Sequence, residues 1–386
     1  MRIAVVTDSV YPYNKGGKEK RIYDIMTRLA KLGHHIDVYT MKWWDGPVDR
    51  EDAGMHLHGV VPLKKLYVSA GRRSIAQAIH FGFGIFLPLL RAKFDVLEVD
   101  HMPFFQLFSC KLVALMKRKK LAASWNEVWG RAYWNEYLPK FGVFGYLIEK
   151  LSVHVPDVII SISAFTTRRL TSMLGVPERR IETIPCGVDV ENIRKGTEEK
   201  TCDVLYYGRL LRHKNVDRLV RAMKLVVARR PDASCVIIGD GPEREALVRE
   251  AERAGVTRNV VFKDFLPSQE ELYRQLQQTR LFVSPATREG FGIAVLEASA
   301  AGLPVIIIDH PENAAKDFVT DGVQGFVCAL DEHEIANRIE AVLADDGLRK
   351  RMGAAGVENA RQYDPDVVAR TVAAVYERLQ PVRQAA

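Results

Sequence analysis

Short apolar runs alternate with longer stretches of helical period from the first residues almost to the last. Ile3–Thr7 is an apolar run too short for a helix and reads as a buried strand. In Arg21–Leu32 the apolar residues Ile22, Ile25, Met26, Leu29 and Ala30 recur at helical spacing, and Gly33 ends the helix. Ile36–Thr40, Asp95–Val99, Leu121–Ser124 and Val158–Ser161 are further strands, and Ala164–Leu174 is a helix stopped by Gly175. The pattern then restarts. Asp203–Tyr207, Cys235–Ile238, Val260–Phe262, Leu281–Ser284 and Val305–Ile308 read as strands. Val216–Arg229, Glu243–Ala254, Leu272–Gln278 and Ala294–Ala301 read as the helices between them, and Glu332–Ala344 and Leu348–Arg361 as closing helices. Strands alternating with helices imply parallel sheets covered by helices.

Between the two series lies Asn192–Lys200, polar and without apolar periodicity after Ile193, which reads as a linker. A chain of 386 residues suits two domains of roughly 150–200 residues each. The expected division is a first Rossmann-like domain over 1–195, a second over 196–364, and a final helix within 365–386 packing back toward the first. Open α/β sheets bind ligands at the carboxyl ends of their strands, so the site is expected where two such edges face each other across a cleft.

Composition narrows the class. Apolar residues make up 47% and charged residues 27%, as in a soluble globular protein. No apolar run approaches the ~20 residues of a spanning helix, and nothing resembles a leader peptide, so a cytoplasmic location is expected. Five scattered cysteines without a C-x-x-C pair fit buried thiols better than a disulfide or zinc framework. The net charge of +7 is uneven: Met1–Lys195 carries 29 Lys and Arg against 19 Asp and Glu, and the remainder 26 against 29. The densest clusters are Lys64-Lys65, Arg72-Arg73 and Lys117–Lys120. With no nucleic-acid motif beside them, they fit peripheral contact with an anionic membrane or a solvated surface. The aromatic and aliphatic residues nearby (Phe81, Phe83, Ile85, Phe86, Phe104 and Phe105) fit partial insertion, a lipid-acceptor groove, or the core.

The chemistry concentrates in Ser284–Pro304. Glu289 and Glu297 flank Gly290-Phe291-Gly292 and Ile293, where a loop gives way to a helix. Unpaired N–H groups and the positive dipole end suit a phosphate there, and glycine allows close backbone approach. The two carboxylates can then accept from hydroxyls at either end of a nucleotide sugar. Arg209, at the end of a strand, and Lys214 just beyond are cations able to stabilise a departing diphosphate. Gly16 and Gly17, between the first strand and first helix, form a second loop suited to phosphate approach, although neither the P-loop nor the dinucleotide fingerprint is met. No D-x-D pair occurs in or near these segments, so no metal and no other cofactor is expected.

Taken in order, GHHIDVYT, SISAFTTRRL, IPCGVD, YGRLLRHKN, IIGDGPE and EGFGIAVLE, together with the early glycine pair, resemble the family 4 (GT4) glycosyltransferases, retaining enzymes of the GT-B fold, over essentially the whole chain. The resemblance implies a hexosyl transfer from a UDP- or GDP-linked donor to a sugar, lipid-linked or small-molecule acceptor. It implies that Glu289 binds the donor hexose, that Gly290, Phe291, Gly292 and Ile293 lie along sugar and diphosphate, and that Glu297 binds the ribose. Arg209, Lys214, Gly16 and Gly17 would meet the diphosphate, and Asp264, Phe265 and Leu266 the base. Tyr13, His101, Glu127 and Trp129 would lie on the acceptor or sugar-orienting side. Many relatives carry a histidine where this chain has Asn126, which hydrogen-bonds but is no base at neutral pH; His101 stands at the end of the preceding strand. A sugar phosphorylase, a nucleotide-sugar epimerase and a non-catalytic nucleotide-sugar-binding subunit remain alternatives.

Overall fold

The computed structural model describes residues 1–64, 67–69, 72–196 and 199–380, with backbone alone for 67–69, 72 and 73. Lys65, the side chains of Arg72 and Arg73, linker residues 197–198 and residues 381–386 therefore lie outside the described residues. The chain forms two compact α/β units that divide between Gly187 and Val188 and again between Asp364 and Pro365.

The first unit is built on β1 (Arg2–Val6), β2 (His35–Met41), β3 (Asp49–Asp52) and β4 (Met55–Val61), with β5 (Tyr67–Ser69) and β6 (Arg72–Arg73) forming a separate hairpin. β7 (Val96–Asp100), β8 (Leu121–Trp125), β9 (Val158–Ser161) and β10 (Ile181–Thr183) complete an eight-stranded sheet in the order β10-β9-β8-β7-β1-β2-β4-β3. All neighbours run parallel except the edge pair β3–β4. Every residue of β7 and β8 is buried, as central strands of a parallel sheet covered on both faces are. Phe81, Leu107, Cys110 and Val113 belong to one core, and Ile22, Ile25, Met26 and Leu29 of the helix Gly17–Lys31 to the other. The second core is completed by the last helix, Pro365–Leu379, which packs Val368, Val372 and Tyr376 into it and pairs Asp366 with Arg28 at 3.0 Å.

The second unit holds β11 (Cys202–Tyr207), β12 (Cys235–Ile238), β13 (Val260–Lys263), β14 (Thr279–Ser284), β15 (Val305–Ile308) and β16 (Gly325–Cys328). Their order is β13-β12-β11-β14-β15-β16, all parallel. This is the doubly wound order, with its switch point between β11 and β14. The division precedes the polar linker because the start of that segment is already bound to the second unit. Gln277 donates to the carbonyls of Ile193 and, at 2.9 Å, Lys195, and Lys200 donates to those of Gln277 and Thr279 at 2.6 and 2.8 Å.

All five cysteines are buried. Among the described residues no helix is long and apolar enough to cross a membrane.

Candidate functional site

In the second unit the parallel strands bring the ends of β11, β12, β13 and β14 to one edge of the sheet. The β11 loop is held by the β12 loop: Gly208 and Leu210 donate to the carbonyls of Ile238 and Asp240 at 3.0 and 2.9 Å. The approach is so close that a Cβ on Gly239 would sit 1.9 Å from the Gly208 oxygen, and φ there is +149°. Only glycine fits, which gives the IIGDGPE motif its physical reason. The buried Tyr206 hydroxyl donates to the Arg209 carbonyl at 3.1 Å, fixing the loop from below.

Lys214 closes a single 3₁₀ turn, Arg212–Lys214, and Asn215 follows in the left-handed region at φ +49°. The Asn215 amide donates to the Pro285 carbonyl and the Thr287 hydroxyl, each at 3.2 Å, and so ties this turn to the loop after β14. Glu289 lies in that loop, pinned on both sides: its N–H donates to Glu312 and its carbonyl accepts from Ala314, each at 3.0 Å. Buried Asn313 donates to Ala286 and Ile308 and accepts from Ala315. The outcome is an ion pair, Lys214 Nζ to Glu289 Oε1 at 2.5 Å, between side chains that both remain partly open. Gly292 at φ +95° then opens the helix Ile293–Ala300. Phe291 packs into a ring cluster with Phe318 and Tyr363. Glu297, one turn into the helix, is 2% exposed. At the end of β13, Asp264 is exposed and pairs with Arg244 at 3.1 Å, with Phe265 and Leu266 half-buried beside it.

In the first unit the ends of β1, β7, β8 and β9 share an edge in the same way. Gly16 is the N-cap residue of the helix Gly17–Lys31, in extended conformation. The next side chain, Lys18, lies between two buried carboxylates, Asp8 at 2.9 Å and Asp100 at closer range. Asp100 Oδ1 also accepts from the Asn126 amide at 3.1 Å. Burial alone would raise the Asp100 carboxyl, but the Lys18 charge and then His101 outweigh it and hold it at about 2. The Asn126 Nδ2 is thereby committed inward, and its Oδ1 is left to accept. His101 is buried, stacked on Trp125 at 4.7 Å and edge-on to Phe104 at 5.7 Å. Of the two residues, the half-buried Asn126 is the one nearer solvent. Tyr13 is at the surface, its hydroxyl accepting from Arg50 at 2.6 Å, and Glu127 is half-buried.

The shape of the Trp125–Gly130 segment depends on buried Glu149. It accepts from the N–H groups of Trp129 and Gly130 at 2.7 and 2.9 Å and from the Trp134 indole at 2.8 Å. Burial raises its carboxyl despite these donors. A second buried carboxyl, Glu98, accepts from the Ser124 hydroxyl at 2.5 Å, and burial pushes it up to about 7 against that bond and the charge of Arg21.

The sequence reading missed Asp8, Lys18, Asp100 and Glu149. The available signal was charge in structural places: Asp8 directly after an apolar strand, and Lys18 directly after two glycines.

Two parallel α/β units, each with polar and charged side chains at its strand ends, define the GT-B class of glycosyltransferase folds. Solved structures agree over nearly the full chain. Sucrose-phosphate synthase from Thermosynechococcus elongatus superposes with a TM-score of 0.78 at 18% identity, covering 98% of each chain. Anabaena Alr3699/HepE in complex with UDP and glucose gives 0.78 at 17%, covering 98% of this chain and all of the other. The family model described as glycosyl transferases group 1 matches residues 189–359, and that described as glycosyltransferase family 4 matches residues 15–192. The chain therefore belongs to the family 4, group 1 glycosyltransferases. It is 26% identical over 98% of both chains to an uncharacterized glycosyltransferase, MJ1607, of Methanocaldococcus jannaschii. It is also 33% identical to the GDP-mannose-dependent alpha-(1-6)-phosphatidylinositol monomannoside mannosyltransferase of Mycolicibacterium smegmatis, over 52% of this chain and 56% of that one.

Proposed function

We propose that this glycosyltransferase moves a hexosyl group from a UDP- or GDP-linked sugar to a hydroxyl of a sugar, lipid-linked or small-molecule acceptor, with retention of configuration and without a metal. The observation that carries the reading is the Lys214–Glu289 pair beside the Ile293–Ala300 helix start. A diphosphate at that helix end meets unpaired N–H groups and the positive dipole end. It also competes for Lys214, and so releases Glu289 to accept hydrogen bonds from the hexose hydroxyls. Arg209 adds a second cation, Glu297 takes the ribose, and the base lies along Asp264–Leu266.

In the transfer, the bond from the anomeric carbon to the diphosphate oxygen breaks. The acceptor oxygen forms its bond on the same face, and its proton passes to the leaving diphosphate. Lys214, Arg209 and the helix dipole stabilise the charge that grows on that diphosphate, the task a metal performs elsewhere. In the first unit, Gly16 and Gly17 are the proposed phosphate-facing loop, and Tyr13, Glu127 and Trp129 the proposed acceptor-side residues. Asn126 takes the sugar-orienting place, supported from beneath by His101. A cytoplasmic enzyme working on a lipid-linked acceptor would meet an anionic membrane face, which the basic first half of the sequence favours.

A thermal-shift screen of UDP- and GDP-sugars tests donor binding, because a ligand bound by the folded state raises its stability. Proton NMR of the product's anomeric centre then reads the stereochemistry. Stabilisation by no nucleotide sugar, or an inverted product, would overturn the reading.

A further inference from the structure

The helices covering one face of the first unit's sheet are apolar on their outer side as well as their inner side. Ile75–Gly84 buries Ala78 and Phe81 and exposes Ile75, Ile79 and Phe83. Phe105–Met116 buries Leu107, Cys110 and Val113 and exposes Phe108, Leu112 and Leu115. Gly142–Ser152 exposes Phe144, Leu147 and Leu151. Spacings of three and four residues line each trio along one helix face. The exposure is large: 76% for Phe83, 61% for Leu115 and 64% for Phe144. The first two helices pack on each other, and Lys111 of the second reaches Asp157, just past the third, at 2.9 Å. The first two stripes therefore lie on neighbouring helices, and the third helix packs Tyr146 and Ile148 against the same core. A lone exposed leucine is ordinary, whereas apolar stripes gathered on one face mark an interaction surface.

The charge around them is mainly positive, with Glu136 an exposed acid that makes no ion pair among the described residues. From Ile75 to Asp157 the sequence carries ten Lys and Arg against seven Asp and Glu. Of the seven, Glu98, Asp100 and Glu149 are buried, and Asp95 and Asp157 are paired with Lys119, Lys111 and Lys120. Arg91, Lys93, Arg118, Lys140 and Lys150 are exposed and make no ion pair among the described residues.

We propose that this face docks on an anionic lipid bilayer. The three stripes enter the headgroup boundary, and the five unpaired cations bind lipid phosphates, their long stems lying along the apolar surface. A second copy of the chain is the poorer occupant, since a symmetric contact would set like cations against each other. The proposal deepens the membrane reading above and, for its purpose, rests on a lipid-linked acceptor; the binding itself does not.

Flotation of the full chain with phosphatidylglycerol or phosphatidylcholine vesicles, at low and high salt, tests it without any turnover, so its result is independent of the transferase reading. Co-flotation is expected with phosphatidylglycerol at low salt, weakened on the order of tenfold by high salt or by phosphatidylcholine. The combined variant Phe83→Ser, Leu115→Ser and Phe144→Ser should keep its melting temperature and lose co-flotation. Arg118→Glu with Lys140→Glu, a second variant at exposed positions, should lose the salt-sensitive part. Absence of binding to phosphatidylglycerol at low salt would overturn the proposal, as would binding that both variants retain. A dimer in sedimentation velocity that the serine variant dissociates would assign the face to a second copy instead.

Discussion

Glu289 shows what one side chain carries. Its pair with Lys214 is partly open to solvent, and such pairs contribute roughly 0–1 kcal/mol. Glu289→Gln should therefore keep the melting temperature within roughly 2–4 °C while lowering turnover by about 100-fold or more. A steady-state assay beside a thermal melt checks both, and near-normal activity would remove Glu289 from the site. Two buried carboxyls of the first unit, Asp100 and Glu98, shift in opposite directions and predict opposite titrations. Asp100 is lowered from 3.8 to about 2, so its contribution is complete above pH 3.8 and is lost as pH falls toward 2. Glu98 is raised from 4.5 to about 7, so the folded state holds a proton that the unfolded chain has released, and stability falls as pH rises from 4.5 to about 7. Urea denaturation across pH should show both slopes. Glu98→Gln should remove its own share of the neutral-side slope, a change on the order of 3 kcal/mol, and leave the part that the raised Glu149 carboxyl contributes. The Glu289–Glu297 spacing could be read from the sequence because both residues belong to one loop-to-helix passage. The Lys18–Asp100 pair could not, because its partners lie 82 positions apart and only the sheet brings them together.

At the level of elements, Glu149 acts on a whole segment. A glutamine offers one carbonyl oxygen where the carboxylate accepts from three donors. At least one buried N–H loses its partner, at about 1–3 kcal/mol. Glu149→Gln should lower urea stability by that amount; an unchanged midpoint would mean the segment is held some other way. The sequence reading located helices whose outer side is polar, such as Gly17–Lys31 and Val216–Arg229. It passed over Phe105–Met116 because Phe108, Leu112 and Leu115 face out while Leu107, Cys110 and Val113 face in, which erases the amphipathic signal. β4 differs: Met55 and Leu57 alternate with half-buried His56 and His58 as a strand requires, but Gly59 takes the next buried position and cuts the apolar alternation short. Of the aromatic cluster left open between insertion and core, Phe81, Ile85 and Phe104 are core and Phe83 is exposed.

For the whole molecule, the proposed chemistry predicts that EDTA leaves turnover within about twofold, because protein cations and a helix dipole stand at the proposed diphosphate position. Loss of activity in EDTA that magnesium or manganese restores would contradict this. The most consequential feature at this scale is the return of Pro365–Leu379 into the first unit's core, while the second unit is one unbroken stretch, Val188–Asp364. Domains fold as units during synthesis, N-terminal first. Here the ribosome delivers the second unit whole before the first has received its last helix, so the first unit to begin emerging is the last to be finished. Until then Ile22, Met26 and Leu29 lack the cover of Val368, Val372 and Tyr376. A nascent chain arrested before Pro365 should yield a protease-resistant second unit beside a first unit that is readily cleaved, and extending the chain past Leu379 should protect both. Equal protection of the two at the earlier arrest point would show that the first unit closes without its final helix.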